Sequence, residues 1–334
     1  MPRPGRCRTL TSEHGDAEHP SDDAPGRAGA LGERLAGLVD EPDAFVLELE
    51  AGLADLSDPA YALTLRRVSP DVTSPYAVRS PLLRVIEGSV RSALREGSSA
   101  TALWLAGRLE RAPAREVRMI ARPCLLRALP DEPERAWQTM RRLGSRAEDW
   151  IEVDALARVW AVGVLAEPFR WAELEQLVYS ANPIERRLVG ATLATTTHLP
   201  AASRTARIAE LAPSAIELLG SLIGDAEPIV QKALGWALRS WHPLAPDAVE
   251  AFLRQQAAIA VAGSDGHRAW VVREVLPVVR PGLGLELRHR LVDVRRRKGS
   301  PSSSLAADMA ARYGVGMGTS VAAGQGDRFA RARG

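Results

Sequence analysis

The segment Asp149-Trp150-Ile151-Glu152-Val153-Asp154 sets an indole and a carboxylate four positions apart, one turn of a helix. If the helix runs on to Trp160, its apolar stripe is Val153, Leu156, Trp160 and Val164, and Trp150 and Asp154 fall on a seam beside that stripe. An indole face attracts cations and a carboxylate adds negative charge next to it, a combination that suits a positively charged group. The same residues have an ordinary reading, with Trp150 a packing residue and Asp154 a surface acid pairing with Arg158.

A second tryptophan stands out in Val230-Gln231-Lys232-Ala233-Leu234-Gly235-Trp236-Ala237-Leu238-Arg239. Here Val230, Ala233, Leu234, Ala237 and Trp241 form the stripe, while Trp236 projects away from it, near Lys232 and towards Arg239. It too has an alternative, because a helix stacked between neighbours buries two sides. Paired arginines, Arg186 and Arg187, fall in the first turns of a helix begun by Asn182-Pro183, and a solvated face would serve them equally.

These candidates need helices to position them, and helices are what the pattern supplies. From about Ala28 to Arg297 apolar residues recur at spacings of three and four, as in Leu82-Ile86-Val90-Leu94 and Leu211-Ile216-Leu219-Ile223, with Pro, Gly, Asp or Ser between blocks. No stretch alternates long enough to demand a strand, so the fold class is all-α. Asn182 can cap a helix, Pro183 suits its first position and Glu185 can close a capping box. Asp225 ahead of Pro228, and Pro246-Asp247, mark two more starts. Helix pairs return every 35 to 45 residues or so, the period of HEAT or armadillo units, which predicts an α-solenoid whose inner helices line a concave surface.

Composition excludes several classes. With 46% hydrophobic and 25% charged residues the chain can bury a core. Cys7 and Cys124 form no CxxC pair, and His198, His242 and His267 are isolated, so neither a disulfide framework nor a metal site is expected. The opening residues lack the apolar region of a secretory signal, and no apolar run reaches the ~18 to 20 residues of a membrane span. The net charge is only +2, which leaves room for one basic face. The cations are almost all arginine, with Lys232 and Lys298 the only lysines, and most of them are expected to be solvated. The string Gly314-Val315-Gly316-Met317-Gly318 follows no strand and fails as a phosphate loop. The domain plan is a polar tail over 1–27, a helical repeat domain over 28–298 and a Gly/Ser/Ala-rich mobile tail over 299–334.

Taken together, the segments resemble the AlkD family of DNA alkylation repair glycosylases, which have HEAT-like repeats. Ala77-Val78-Arg79-Ser80-Pro81-Leu82-Leu83-Arg84 is similar to the family's small-Val-x-x-Pro-x-x-Arg segment, and Ala102-Leu103-Trp104 with Glu110-Arg111 to its next Leu-Trp helix. Trp150 to Asp154 resembles the Trp-x-x-Val-Asp element. Val230 to Arg239 resembles the Gln-Lys-Ala-Ile-Gly-Trp-x-Leu-Arg segment, the most specific of the matches. Asn182 to Arg187 is similar to the Asn-x-Trp-x-x-Arg element, except that Ile184 replaces the aromatic residue.

The resemblance implies hydrolysis of the glycosidic bond of purines alkylated at N3 or N7 in duplex DNA, with no cofactor and no metal. It implies Asp154 as the carboxylate aimed at the developing sugar cation, Trp150 and Trp236 as indoles facing the charged nucleotide, and Arg187, Lys232 and Arg239 as phosphate contacts. A cytoplasmic, nucleoid-associated monomer follows as the setting. Two other readings stay open: a catalytically silent relative that binds DNA, and a HEAT-type protein scaffold in which the tryptophans only pack.

Overall fold

The structure is a computed structural model that describes residues 23–68, 76–200 and 206–313. Cys7 and the string from Gly314 to Gly318 lie outside the described residues. The helices are α1 (Ala24–Ala36), α2 (Pro42–Asp55), α3 (Pro59–Val68), α4 (Ser80–Ala93), α5 (Ser99–Glu110), α6 (Arg115–Met119), α7 (Ala121–Ala128), α8 (Pro133–Arg146), α9 (Trp150–Ala166), α10 (Trp171–Leu177), α11 (Pro183–Thr196), α12 (Ala212–Leu222), α13 (Pro228–Trp241), α14 (Pro246–Ala262), α15 (Gly266–Val275), α16 (Pro281–Arg290) and α17 (Leu305–Tyr313). No strand occurs among the described residues.

Local chemistry sets where they start. Pro42, Pro133, Pro183, Pro228, Pro246 and Pro281 each occupy the first helical position, where the missing N–H costs nothing. Side chains of Ser98, Asp149, Asn182 and Asp265 cap the backbone N–H groups of Thr101, Glu152, Ile184 and Arg268. The capping box expected at α11 closes indirectly. The Asn182 N–H donates to the Ser180 hydroxyl at 3.0 Å, and that hydroxyl in turn donates to Glu185.

The helices stack in two rows, the arrangement of an α-solenoid. In one row α1 packs on α4, α4 on α7, α7 on α9, α9 on α11, α11 on α13 and α13 on α15. In the other, α2 packs on α5 and α5 on α8, and further along α12 on α14 and α14 on α16. The expected stripes are buried: Val153, Leu156, Trp160 and Val164 on α9, and Val230, Ala233, Leu234, Ala237 and Trp241 on α13. α11 and α13 approach closely. A Cβ on Gly190 would stand 2.9 Å from the Ala233 Cβ and 3.0 Å from its carbonyl carbon, and the Trp241 indole N–H donates to Leu193 O at 3.0 Å.

Polar locks tie each repeat to the next, and a minority of the arginines supply them. Arg115, Arg118, Arg170 and Arg187 are buried rather than solvated. Arg118 holds Glu152 through two bonds of 2.8 and 2.9 Å across 34 residues, and also donates to Pro113 O at 2.6 Å. Arg115 pairs with Asp149, the α9 cap. Arg186 bonds Asp225 at 2.7 Å across 39 residues, and Gln231 meets His267 at 3.0 Å across 36. These separations measure the repeat directly and agree with the period expected from the pattern.

The folded part extends past the expected boundaries. α1 begins at Ala24, and α17 packs on α12, with Ser304 and Ala306 buried. Residues 299–313, expected as the start of a mobile tail, therefore join the fold. Their composition is poor in apolar area, but Gly224 lets the backbone at Ser303 approach closely enough to hydrogen-bond.

One lock gives an acid-sensitivity test. Glu250 on α14 accepts from Arg280 Nε at 2.6 Å, from the Arg280 N–H at 3.1 Å and bonds His242 at 3.3 Å. The Arg280 bonds draw its carboxyl from 4.5 down to about 2. A depressed carboxyl stabilises the fold above its unfolded value and loses that contribution as pH falls through the folded one. Thermal melts of Glu250→Gln should thus lie below wild type at neutral pH, the gap closing as pH drops from above 4.5 towards 2. A gap independent of pH would reject this role.

Candidate active site

α9, α11 and α13 lie side by side in the first row, and their N-terminal turns meet. Asp154 is in the second turn of α9, Arg187 in the second turn of α11, and Ile229 in the first turn of α13. Arg187 donates from Nε to Asp154 Oδ1 at 2.9 Å and from Nη2 to Oδ2 at 2.6 Å, a two-pronged pair. Its Nη1 donates to Ile229 O at 2.5 Å, and its guanidinium lies 5.5 Å from the centre of the Trp150 ring. One arginine thereby joins three successive helices and carries an indole against it.

The pair is unevenly exposed. The Arg187 side chain is 7% accessible and that of Asp154 23%, so the arginine is the buried strut and the carboxylate the open end. Each carboxylate oxygen gives one lone pair to Arg187 and keeps another, which leaves room for a water on the open side. Burial pushes the Asp154 carboxyl above its ordinary value, opposed by the bonds and charge of Arg187.

Of the residues singled out in the sequence, the structure brings together Trp150, Asp154 and Arg187. Arg158, the alternative partner of Asp154, is exposed and takes no part. Arg187 spends two of its donors on the Asp154 carboxylate. Arg239 donates to Glu274 O at 2.8 Å and braces α13 against α15. Lys232 is exposed and has no ion pair among the described residues. Trp236 makes none of the contacts that join the cluster. It is half-buried two turns further along α13, on the face shared by Ile229 and Lys232, and makes no ring contact with Trp150. Ile184 is half-buried against the core at the start of α11.

Two functional features were not foreseen. One is Ile229, whose carbonyl fixes the strut and which no side-chain pattern marks. The other is the pair of buried acids beside the site: Asp149 caps α9 and Glu152 is locked to Arg118, so the first turn that carries Trp150 and leads to Asp154 is held from below. Cys124 offers no nucleophile, because burial pushes its thiol up to about 12. No group of acids, histidines and cysteines that could hold a metal ion occurs among the described residues. No described helix is long and apolar enough to cross a membrane.

Comparison with known proteins gives a family and distant structural likenesses. The family model described as "DNA alkylation repair enzyme" matches residues 49–269, which includes α9, α11 and α13 entirely. Among solved structures, smu.31 from Streptococcus mutans UA159 is similar at 18% identity and a TM-score of 0.46, over 66% of this chain and 100% of that one. No curated protein matches the chain.

Proposed function

The chain belongs to the DNA alkylation repair enzyme family, and from that premise we propose that it is a monofunctional glycosylase releasing cationic N3- or N7-alkylpurines from duplex DNA. The observation that carries this reading is the partly open Asp154 carboxylate, held by two bonds from Arg187 beside the Trp150 ring. The helix pairs are read as HEAT-like units, and the protein as a cytoplasmic, nucleoid-associated monomer.

The chemistry suits what Asp154 can do. A purine alkylated at N3 or N7 carries positive charge, so the bond from its ring nitrogen to the sugar C1′ breaks with both electrons going to the base, which leaves neutral. No acid is needed. The sugar is left as an oxocarbenium ion, and a water adds to C1′ and loses a proton. A fixed carboxylate lowers the energy of that cation and orients the water through its free lone pairs. The Trp150 face favours the charged nucleotide, with a contact of about 0.5 to 2 kcal/mol. Trp236 and Lys232, on one face of α13, would meet the nucleotide and its backbone from the neighbouring helix, and Arg239 would act by holding α13 to α15.

In this mechanism Arg187 keeps Asp154 ionised. Base release should fall on the acid side as Asp154 takes up a proton, at a pH above the ordinary aspartate range because burial has raised it. Arg187→Met removes the one group that opposes the burial, so the acid limb of the pH profile should move to still higher pH. An unmoved limb would show that Arg187 does not govern the titration.

The direct test is single-turnover release of base from a duplex holding one N7-methylguanine. Release by the wild-type chain supports the glycosylase. A second reading, a silent relative that binds DNA, is favoured by Ile184 in place of an aromatic residue; salt-sensitive binding without release would establish it. Neither binding nor release would favour a protein scaffold.

A further inference from the structure

Beyond α16 the chain does not leave the fold but returns as an extended segment, 294–304, across the N-terminal ends of α15 and α13. Arg296 donates to Gln231 of α13 at 2.9 Å and lies 5.7 Å from the Trp270 ring of α15. His267 bonds Ser300 O at 3.1 Å, and Arg268 donates to Ser303 O at 3.3 Å. The Ser303 N–H donates to Gly224 O at 2.8 Å, just ahead of Asp225. Two glycines make this possible. A Cβ on Gly266 would stand 2.3 Å from Arg295 O, and one on Gly224 would stand 2.6 Å from the Ser303 carbonyl carbon. Both contacts are with backbone, so no other residue fits at either position without displacing the strap.

What the strap displays is charge. Arg295, Arg296, Arg297 and Lys298 are consecutive and exposed, and none has an ion pair among the described residues. The exposed acid nearby in sequence is Asp293. The potential is felt by the neighbour beneath: Arg273, which donates to Val294 O at 2.7 Å, has its proton affinity lowered by burial and by the charge of Arg295. A run of like charges is often only a solvated face. A run clamped at both ends onto the helices beside the site has lost the freedom to spread its charges.

Resting on the reading of the site as one that acts on duplex DNA, we infer that residues 294–304 are a phosphate-gripping strap in which Arg295, Arg297 and Lys298 hold the DNA backbone on the α15 side of Asp154. Arg296 is the anchor that fixes the strap to α13. The row runs α9, α11, α13, α15, with the strap at its end on the same helix termini. At roughly 8 to 10 Å between neighbouring helices the strap stands about 20 to 30 Å from Asp154. At about 3.4 Å per base pair that is roughly 6 to 9 base pairs along the duplex, so the grip falls on undamaged backbone and carries no base preference.

The test is the salt dependence of binding by the full chain to an undamaged duplex of about two turns, from about 50 to about 200 mM salt. Each phosphate contact contributes about 0.9 to the slope of log affinity against log salt, so Arg295→Ala/Arg297→Ala/Lys298→Ala should flatten the slope by about 2 to 3. Arg295→Lys/Arg297→Lys should keep the wild-type slope. Arg297→Glu alone, a change at one exposed side chain, should weaken binding at low salt by on the order of tenfold, which preserves the test if the triple variant misfolds. An unchanged slope in the triple variant and unchanged affinity in Arg297→Glu would overturn the strap, as would wild type that shows no salt-dependent binding. Base release is scored separately: wild type that binds through the strap but releases nothing would defeat the glycosylase and leave the strap standing.

Discussion

Asp154→Asn is expected to slow single-turnover release of N7-methylguanine by about two to three orders of magnitude, the cost typical of losing one preorganised charge-stabilising group. Asparagine has the shape of aspartate and keeps an acceptor for Arg187 Nε, but its amide turns a donor towards Nη2 and the second bond is lost. The guanidinium is still held by Ile229 O and stays against Trp150. The variant should therefore remain folded and bind duplex with an affinity within about threefold of wild type, because removing one negative charge does not weaken phosphate contacts. Retention of release within about tenfold of wild type would remove Asp154 from the chemistry, since so small a loss is below what an essential electrostatic group costs.

The second large effect concerns stability. Arg118→Ala should lower unfolding free energy by about 3 to 5 kcal/mol, the usual cost of leaving one member of a buried pair alone. Both members here are almost fully buried, and Arg118 also bonds Pro113 O. In a chain of this size the melting midpoint should drop on the order of 10 °C. Burial pushes the Glu152 carboxyl up, whereas Glu152 and Glu148 raise Arg118; taking both charges out of water offsets much of what their attraction contributes. Replacing both, as Arg118→Met/Glu152→Leu, should accordingly recover more than half of the loss. A single variant that melts within a degree or two of wild type would show that the lock does not bear on the fold. Because Glu152 sits in the first turn of α9, two residues from Asp154, base release should also suffer in Arg118→Ala, and less so in the double variant.

How far the sequence speaks for itself can be judged from these residues. The stripes on α9 and α13, the starts at Asn182, Asp225 and Pro246, and the repeat period were all legible, because each is a local pattern of apolarity or capping. Trp150 and Asp154 at the seam were legible for the same reason. What was not legible is anything that depends on a partner about 35 residues away. The paired arginines Arg186 and Arg187 look alike in the sequence, yet one reaches forward to Asp225 and the other back to Asp154. Arg118 in its short helix gives no sign that its whole guanidinium is buried. The end of the strap, from Gly299 on, reads as tail in the sequence because composition measures the apolar area a segment can bury, whereas Ser303 is held by a backbone bond to Gly224, where a side chain would stand in the way.

Gly190 extends that point to the inheritance of the site. It touches no part of the cluster, yet it sets how closely α11 lies to α13, and hence whether the Arg187 strut can reach the Ile229 carbonyl. Any replacement adds at least a Cβ where 2.9 Å is available, so every amino-acid change at this codon forces the two helices apart. Under the proposed function, selection on the chemistry of Asp154 therefore acts on a residue with no chemistry of its own. The mutational target of the activity is larger than the set of side chains that would touch DNA, and it includes a position that can neither donate, accept nor stack.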